Sequence, residues 1–463
     1  MMQQHDLLAK YDVSGPRYTS YPTVVQFDDA IDELHYILHS QQQPSRFTPL
    51  SLYIHLPFCK SLCHYCACNK VITKKPDQVG PYLDHLHREM ALIKLQLGVE
   101  KRPIIQLHWG GGTPTFLDVA EMTELMHLTA TYFNLSRDED RDFSVEIDPR
   151  TVGENEIDLL HGLGFNRISL GVQDFNSRVQ KAIHRVHSFS SVEKIVSAIR
   201  NTGFQSLNFD LIYGLPFQTK ASIRKTLKQV ISLSPDRISY YNYAHLPDRF
   251  PAQKSIARSR LPDAEIKIGM LTTIIDELAD AGYVHIGMDH FVKPTDKLAI
   301  ARATGKLTRN FQGYTIALAD DIVGLGVSAI SSMGTIMVQN YRELNNYYAH
   351  LDRNILPIER GVILSQEDIL RKDIIHQLLC YRILDIGALE EKYHIDFWRH
   401  FASSIDVIRR MCDDDILAVN DRSLEVPARG IPFLRNVAMQ FDAYLGASKP
   451  ASGIRSAQYS KVL

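Results

Sequence analysis

The sequence predicts an α/β protein: six strand–helix units in an open or partial (βα)6 barrel, preceded by an irregular arm and followed by a small, mostly helical unit. Three observations predict it. Between residues 51 and about 246, short apolar runs rich in strand-forming residues alternate with amphipathic stretches, the pattern of parallel strands covered by helices. Beyond about 355 the pattern turns helical. Before 51, two prolines and a glycine within residues 15–23 argue for an extended, non-regular segment. The expected units are 1–50, 51–355 and 356–463.

Each element has its own signal. Strands are expected at 52–56, 104–109, 143–147, 167–172, 207–212 and 237–243, with amphipathic helical stretches at 82–97, 119–133 and 190–201 among them. Six units suit an open barrel better than a closed one of eight, and ligands of such folds collect at the carboxyl ends of the strands. A long helix is expected over 261–282, between a Leu-Pro-Asp start and a glycine stop, then a strand over 284–291. Glycine-rich turns follow at 310–315 and 324–330. Helices at 365–380, 388–393 and 396–411, then a strand pair at 418–419 and 424–426, suggest a winged-helix-like unit that lids the barrel mouth.

The 463 residues include 45% apolar and 22% charged side chains, the mix of a globular protein. A net charge of −2 gives no electrostatic reason to expect nucleic acid or an anionic membrane as partner. Met1 to Gly15 lack the apolar core of a signal peptide, and no run approaches a membrane span. The expected compartment is the cytoplasm, where thiols stay reduced.

Chemistry concentrates in one stretch. Cys59, Cys63, Cys66 and Cys68, four of the six cysteines, follow the first strand in a C-x3-C-x2-C-x-C pattern. A disulfide framework suits small secreted chains. Structural zinc wants a second, separated Cys/His pair, and none follows. Three cysteines so spaced can wrap one corner of a 4Fe–4S cubane, leaving one iron free for a small molecule. The default for Cys380 and Cys412, on apolar helix faces, is a buried core thiol.

Other signals fall at strand ends. Gly110-Gly111-Gly112-Thr113-Pro114-Thr115 exposes several amide N–H groups where a ligand could approach. Glu146 ends the third strand, as a hydrogen-bond acceptor for a ligand or as a loop cap. Gln173 ends the fourth, and Asp210 lies inside an apolar fifth strand, costly unless paired; Arg185 is the counter-charge to consider. His55, His108 and His245 also sit near motifs, though single histidines are ordinarily core or solvated.

The C-x3-C-x2-C motif resembles that of the radical S-adenosylmethionine (SAM) superfamily, and its C-x-C extension resembles the oxygen-independent coproporphyrinogen III oxidases. The arm sequence GPRYTSYPT, the glycine turn, Arg-Asn-Phe-Gln-Gly-Tyr-Thr and the C-terminal unit extend the likeness over essentially the whole chain. It implies a partial (βα)6 radical SAM barrel. Cys59, Cys63 and Cys66 resemble the cluster ligands, and Cys68 a family cysteine that is not a ligand but serves activity. Tyr53, Gly111, Glu146 and Ile330 match positions contacting SAM on the cluster. Tyr65, Gly112, Thr113, Gln173, Arg185, Asp210 and Ala244 match those contacting a second SAM. Arg17, with Tyr18 and Tyr21, would meet a polycarboxylate substrate, which arginine suits by bidentate contact. The chain departs from the family pattern in carrying His184 and His187 where Asn and Gln are expected.

The activity implied is oxidative decarboxylation of two propionates of coproporphyrinogen III, on rings A and B, to vinyl groups, giving protoporphyrinogen IX in anaerobic haem biosynthesis. The cofactors implied are one 4Fe–4S cluster and two SAM molecules; the partners are the substrate and an unidentified one-electron donor, and the chain is expected to be monomeric. A haem-binding chaperone and a radical SAM porphyrin methyltransferase are the alternatives within the superfamily.

Overall fold

The computed structural model describes residues 7, 10–41, 48–316, 321–445 and 459–462, so most of the N-terminal stretch read for a signal peptide lies outside them. At its centre are six strands: β1 (Leu50–Leu56), β2 (Pro103–Gly111), β3 (Asp142–Ile147), β4 (Arg167–Gln173), β5 (Ser206–Tyr213) and β6 (Arg237–Asn242). They lie side by side in chain order, every neighbouring pair parallel. Helices α1 (Val79–Leu97), α2 (Val119–Tyr132), α3 (Glu154–Gly162), α4 (Phe189–Thr202) and α5 (Lys220–Leu233) make the return crossings.

Each strand alternates in chemistry. Leu107 and Trp109, Phe143 and Val145, Ile168 and Leu170, Leu207 and Phe209, and Ile238 and Tyr240 are buried in the main core. The residues between them, including His108, Ser144, Ser169, Asn208 and Ser239, line a cavity on the opposite face. Full burial of each large apolar side chain contributes about 1.5–3 kcal/mol, so the period-two pattern holds the register and turns the polar row inward.

The sheet continues beyond the six units. Next to β6 lies an antiparallel pair, β7 (Val284–Gly287) and β8 (His290–Val292). The single strand expected over 284–291 is therefore a hairpin, because Met288 turns the chain with φ +46°. On the other side β9 (Ile322–Leu325) runs parallel to β1, and β10 (Ile330–Met333), β11 (Ile336–Asn340) and β12 (Ile358–Ile363) add antiparallel neighbours. The sheet thus reaches Ile363, and the helical unit starts with α7 (Gln366–Tyr381) rather than at 356, after α6 (Ala264–Asp280).

Two further elements differ from expectation. The stretch 396–411 is broken into Phe397–His400, a 3-10 turn Ala402–Ser404 and Ile405–Asp413. Phe397 and Phe401 pack across one helical turn at 4.9 Å, and at the break Ser404 Oγ donates to the Gln440 carbonyl at 2.7 Å. The arm is not wholly irregular, since Glu33–Ser40 is a helix whose N-cap, Asp32, accepts from the His35 amide. Ile383–Asp385, Ala418–Val419 and Ser423–Glu425 form a small antiparallel sheet beside the C-terminal helices.

Candidate active site

The cysteine loop leaves β1 at the carboxyl end of the sheet and is bound to the glycine turn that leaves β2. Gly112 N donates to the Leu56 carbonyl at 2.7 Å, and Thr113 N to the Phe58 carbonyl at 2.9 Å. A Cβ on Gly112 would meet the Pro57 carbonyl at 2.5 Å, and one on Gly111 would meet the His55 ring at 2.4 Å. Glycine is required here by the packing of two loops, before any ligand is considered.

His55 secures the far end of the cysteine loop. Its Nε2 donates to the Asn69 carbonyl at 3.0 Å, which leaves Nδ1 to accept from the Tyr53 hydroxyl at 2.9 Å. Burial holds this imidazole below its usual pKa and so neutral at pH 7. Nearby, Glu89 accepts from Gly326 N, Asn340 Nδ2 and the Tyr347 hydroxyl at 2.6–2.7 Å, fixing the turn before Ile330.

A cavity of about 380 Å³ opens beneath these loops. Cys59, Cys63, Cys66 and Cys68 line one end, with Tyr65, Gly111, Gly112, Thr113, Glu146, Gln173, Arg185 and Asp210. Four expected residues do not line it. Tyr53 stands behind, stacked on His108 at 5.8 Å. The Ile330 side chain packs with Phe27, Met337 and Leu364, and Ala244 lines a neighbouring groove. Arg17 sits at the rim, its guanidinium donating to the Asn242 carbonyl at 2.5 Å.

All four loop cysteines are free thiols. Cys63 Sγ faces two guanidinium groups, Arg150 Nη2 at 3.4 Å and Arg185 Nη1 at 3.6 Å, while Thr113 Oγ1 donates to Cys59 Sγ at 3.5 Å. A hydrogen bond from Cys68, set against burial and helped by Lys70, lowers the Cys66 thiol to about 6. Cations beside thiols favour thiolates, the ligand form. Among the described residues no three His, Cys, Asp or Glu side chains converge closely enough for one metal ion. Zinc thiolates share a single ion at about 2.3 Å, whereas each thiolate of a cubane holds its own iron. Burial raises the Cys59 thiol to about 11, and the cations stand at Cys63 and Cys66. The spread donor set suits a 4Fe–4S cluster.

The sequence reading missed what holds the guanidinium groups. Asp148 accepts from Arg150 Nη2 at 2.7 Å and from Arg185 Nη1 at 2.8 Å. Burial would raise its carboxyl, but Arg185 and Arg150 bring it below its ordinary value. Glu146-x-Asp148-x-Arg150, three ionisable residues at period two where a strand ends, was the available signal. Arg185 is therefore not the counter-charge of Asp210. Asp210 instead accepts from Ser169 Oγ at 2.5 Å and Asn208 Nδ2 at 2.9 Å, and burial pushes it up to about 6.

Glu146 is more than a loop cap. Its carboxylate faces the cavity, with His108 Nε2 at 3.2 Å and the Gly111 amide donating at 3.2 Å. Burial works against the charge, and these two donors outweigh it and keep the group ionised. Gln173 adopts φ +66° at an irregularity in the pairing with β5, which turns it into the cavity. His184, where the family pattern has Asn, also has positive φ, at +55°, a conformation that both residue types tolerate. Its ring stacks on His64 at 5.2 Å, and His187 meets the Val172 carbonyl at 2.9 Å, so both departures are structurally accommodated.

The arm crosses to the C-terminal unit. The Tyr11 hydroxyl donates to Asp414 at 2.7 Å and that of Tyr18 to Asp442 at 2.9 Å, while the Tyr21 hydroxyl accepts from Ala443 N. Tyr18 and Tyr21 thus bind the arm to this unit, while the Arg17 guanidinium reaches the end of β6 at the Asn242 carbonyl. Cys380 is a buried thiol as expected, whereas Cys412 is only half-buried.

Residues 53–230 match the family described as the Radical SAM superfamily. The chain is 45% identical over 443 residues to the oxygen-independent coproporphyrinogen III oxidase of Pseudomonas aeruginosa, covering 95% of each. It is 41% identical over 458 residues to that of Escherichia coli, covering 99% of this chain and 98% of the relative. Among solved structures, coproporphyrinogen III oxidase from Escherichia coli, described as a radical SAM enzyme, aligns with TM-score 0.88 and 40% identity, over 92% of this chain and 97% of that one. The chain belongs to the oxygen-independent coproporphyrinogen III oxidase family of radical SAM enzymes.

Proposed function

We propose that this chain converts coproporphyrinogen III to protoporphyrinogen IX by oxidative decarboxylation of the propionates on rings A and B. The observation that carries the reading is the cavity inside the six-stranded sheet, which joins the cysteine loop, with two guanidinium groups at Cys63, to a wall of ionisable groups. Likeness through the arm and C-terminal unit, at 95% coverage, favours neither the chaperone nor the methyltransferase alternative.

Cys59, Cys63 and Cys66 would hold the cluster, and Cys68, unligated, would serve the reaction beside it. When bound, the cluster and SAM supply one-electron cleavage of a sulfonium and, through it, hydrogen-atom abstraction from the substrate. The protein's part is position and exclusion. Arg150 and Arg185 donate to Cys63 Sγ and are themselves held by Asp148. Ionised Glu146, supported by His108 and Gly111, would accept hydrogen bonds from the first SAM, whose site Tyr53, Gly111 and Ile330 would shape. Tyr65, Gly112, Thr113, Gln173, Arg185, Asp210 and Ala244 would take a second SAM. The arm and the C-terminal unit, bound to each other through Tyr18 and Asp442, would keep water from the reacting groups.

The chain would act as a cytoplasmic monomer supplied by a one-electron donor; no helix among the described residues is long and apolar enough to cross a membrane. The test is an anaerobic assay of reconstituted protein with coproporphyrinogen III, SAM and a one-electron reductant, counting porphyrins and 5′-deoxyadenosine. Protoporphyrin with about one SAM cleaved per vinyl group supports the reading. Intact substrate beside a complete cluster refutes it.

A further inference from the structure

Arg185 lies in the loop between the short helix Ser177–Ala182 and α4, yet its guanidinium reaches three groups at once. Nε and Nη2 donate to the Gly171 carbonyl near the end of β4 at 3.0 and 2.7 Å, and Nη1 reaches Asp148 at 2.8 Å and Cys63 Sγ at 3.6 Å. That contact set holds only while the backbone beneath it keeps its place against both the strand and the cysteine loop. The residues on either side of Arg185 make the ties that do this.

His184 faces the cysteine loop. Its Nδ1 meets the Leu62 carbonyl at 2.7 Å, its ring stacks on His64 at 5.2 Å, and His64 N donates back to the Ile183 carbonyl at 3.0 Å. His187 faces β4. Its Nε2 meets the Val172 carbonyl at 2.9 Å, and its ring stands edge-on to Phe175 at 5.9 Å. A carbonyl only accepts, so the donor is Nδ1–H in His184 and Nε2–H in His187. His187 Nδ1 is buried without a hydrogen-bond partner, which leaves the Nε2 contact as the polar role of that ring.

The family pattern has Asn at 184 and Gln at 187, and the atoms explain both exchanges. Asparagine Nδ2 and histidine Nδ1 each stand one bond beyond Cγ, whereas glutamine Nε2 and histidine Nε2 each stand two bonds beyond it. Each replacement keeps an N–H donor at the same reach and changes the rest of the side chain. Position 184 has a further requirement, φ +55°, which asparagine and histidine both tolerate. What survives at both positions is a donor aimed at a backbone carbonyl.

We propose that His184 and His187 are positioning residues for the second SAM. The tie to Leu62 holds the Arg185 loop against the cysteine loop, and the tie to Val172 holds it against the end of β4, where Gln173 turns into the cavity. Neither histidine lines the cavity, so both act through Arg185 and Gln173, which do. The proposal rests on the assignment of those two residues to the second SAM and names what fixes their geometry.

The test is equilibrium dialysis of SAM against the reconstituted holoenzyme, beside hydrogen exchange of the apoprotein, in two pairs of variants. His184→Gly keeps the left-handed backbone and removes the donor, while His184→Asn keeps a donor at the same reach; His187→Leu and His187→Gln make the same contrast at the other tie. One hydrogen bond is worth a factor of roughly two to ten in an equilibrium constant. His184→Gly and His187→Leu should therefore bind the second equivalent of SAM roughly two- to tenfold more weakly, with iron content and the first equivalent unchanged. Amides at 62–64 in the first and 172–174 in the second should exchange faster in the apoprotein. His184→Asn and His187→Gln should stay within about twofold of the wild type. Unchanged affinity for the second equivalent in both donor-less variants overturns the proposal. Equal weakening in His184→Asn and His187→Gln also overturns it, by assigning the effect to the imidazole rings. Loss of iron together with both equivalents does the same, because it marks a misfolded loop. A wild type that forms protoporphyrin but binds one SAM removes the second-site assignment and the proposal with it. A wild type that binds two and leaves the substrate intact sinks the oxidase reading alone.

Discussion

Replacing Asp148 with asparagine tests the reading of the cluster corner most directly. The change keeps side-chain volume and removes one buried charge. Asp148 is only 5% exposed and accepts from Arg150 and Arg185, which both reach Cys63. Arg185 is 8% exposed, and its remaining acceptors are the Gly171 carbonyl and the sulfur. Removing one member of a buried pair leaves an uncompensated charge and costs about 3–5 kcal/mol. At about 2 °C per kcal/mol for a large domain, apoprotein melting at pH 7 should fall by about 6–10 °C. The sign with pH is fixed by the depressed native pKa. The wild-type advantage is complete above the unfolded value of 3.8 and is lost as pH falls through the native value, so the two proteins should converge in acid. Asp140→Asn is the control, because Asp140 pairs with Lys297 while 88% exposed and should leave melting unchanged. Wild-type melting of Asp148→Asn at pH 7 would refute the argument that this carboxylate holds both guanidinium groups.

Further outcomes follow from other parts of the site. Cys59→Ser, Cys63→Ser and Cys66→Ser should each lose cluster iron after reconstitution while Cys68→Ser retains it with reduced activity; equal iron loss in all four would make Cys68 a ligand. Glu89, raised by burial to about 7, keeps its proton in the fold after the unfolded chain has ionised at about 4.5, so it removes about 3 kcal/mol of stability as pH rises between these values. Glu89→Gln should abolish that component, and an unchanged difference between unfolding midpoints at pH 4.5 and 8 would exclude it. Gly112→Ala forces a methyl group against the Pro57 carbonyl and should cost about 1–3 kcal/mol with weakened SAM binding in equilibrium dialysis. Normal SAM affinity in that variant would mean the cysteine loop tolerates displacement.

What the sequence by itself determined is local. The six strands were readable because apolar and polar residues alternate within a few positions, and the cysteine loop because its ligands lie within ten residues. The polar row facing the cavity was equally present, as Ser144, Ser169, Asn208 and Ser239, but its alternation was read only for where strands lie. Resemblance supplied the roles of single residues such as Glu146 and Arg185, which spacing does not encode. Tertiary structure alone decided how charges pair. Arg185 lies 122 residues from Cys63 and turns to Asp148, leaving Asp210 to the side chains of Ser169 and Asn208. It also decided that the arm docks on the C-terminal unit, with Tyr11 and Asp414 separated by 403 residues. The physical reason is range: a side chain's period is set by its neighbours in the chain, whereas the partner of a buried charge is set by which surfaces the closed fold brings within a few ångströms.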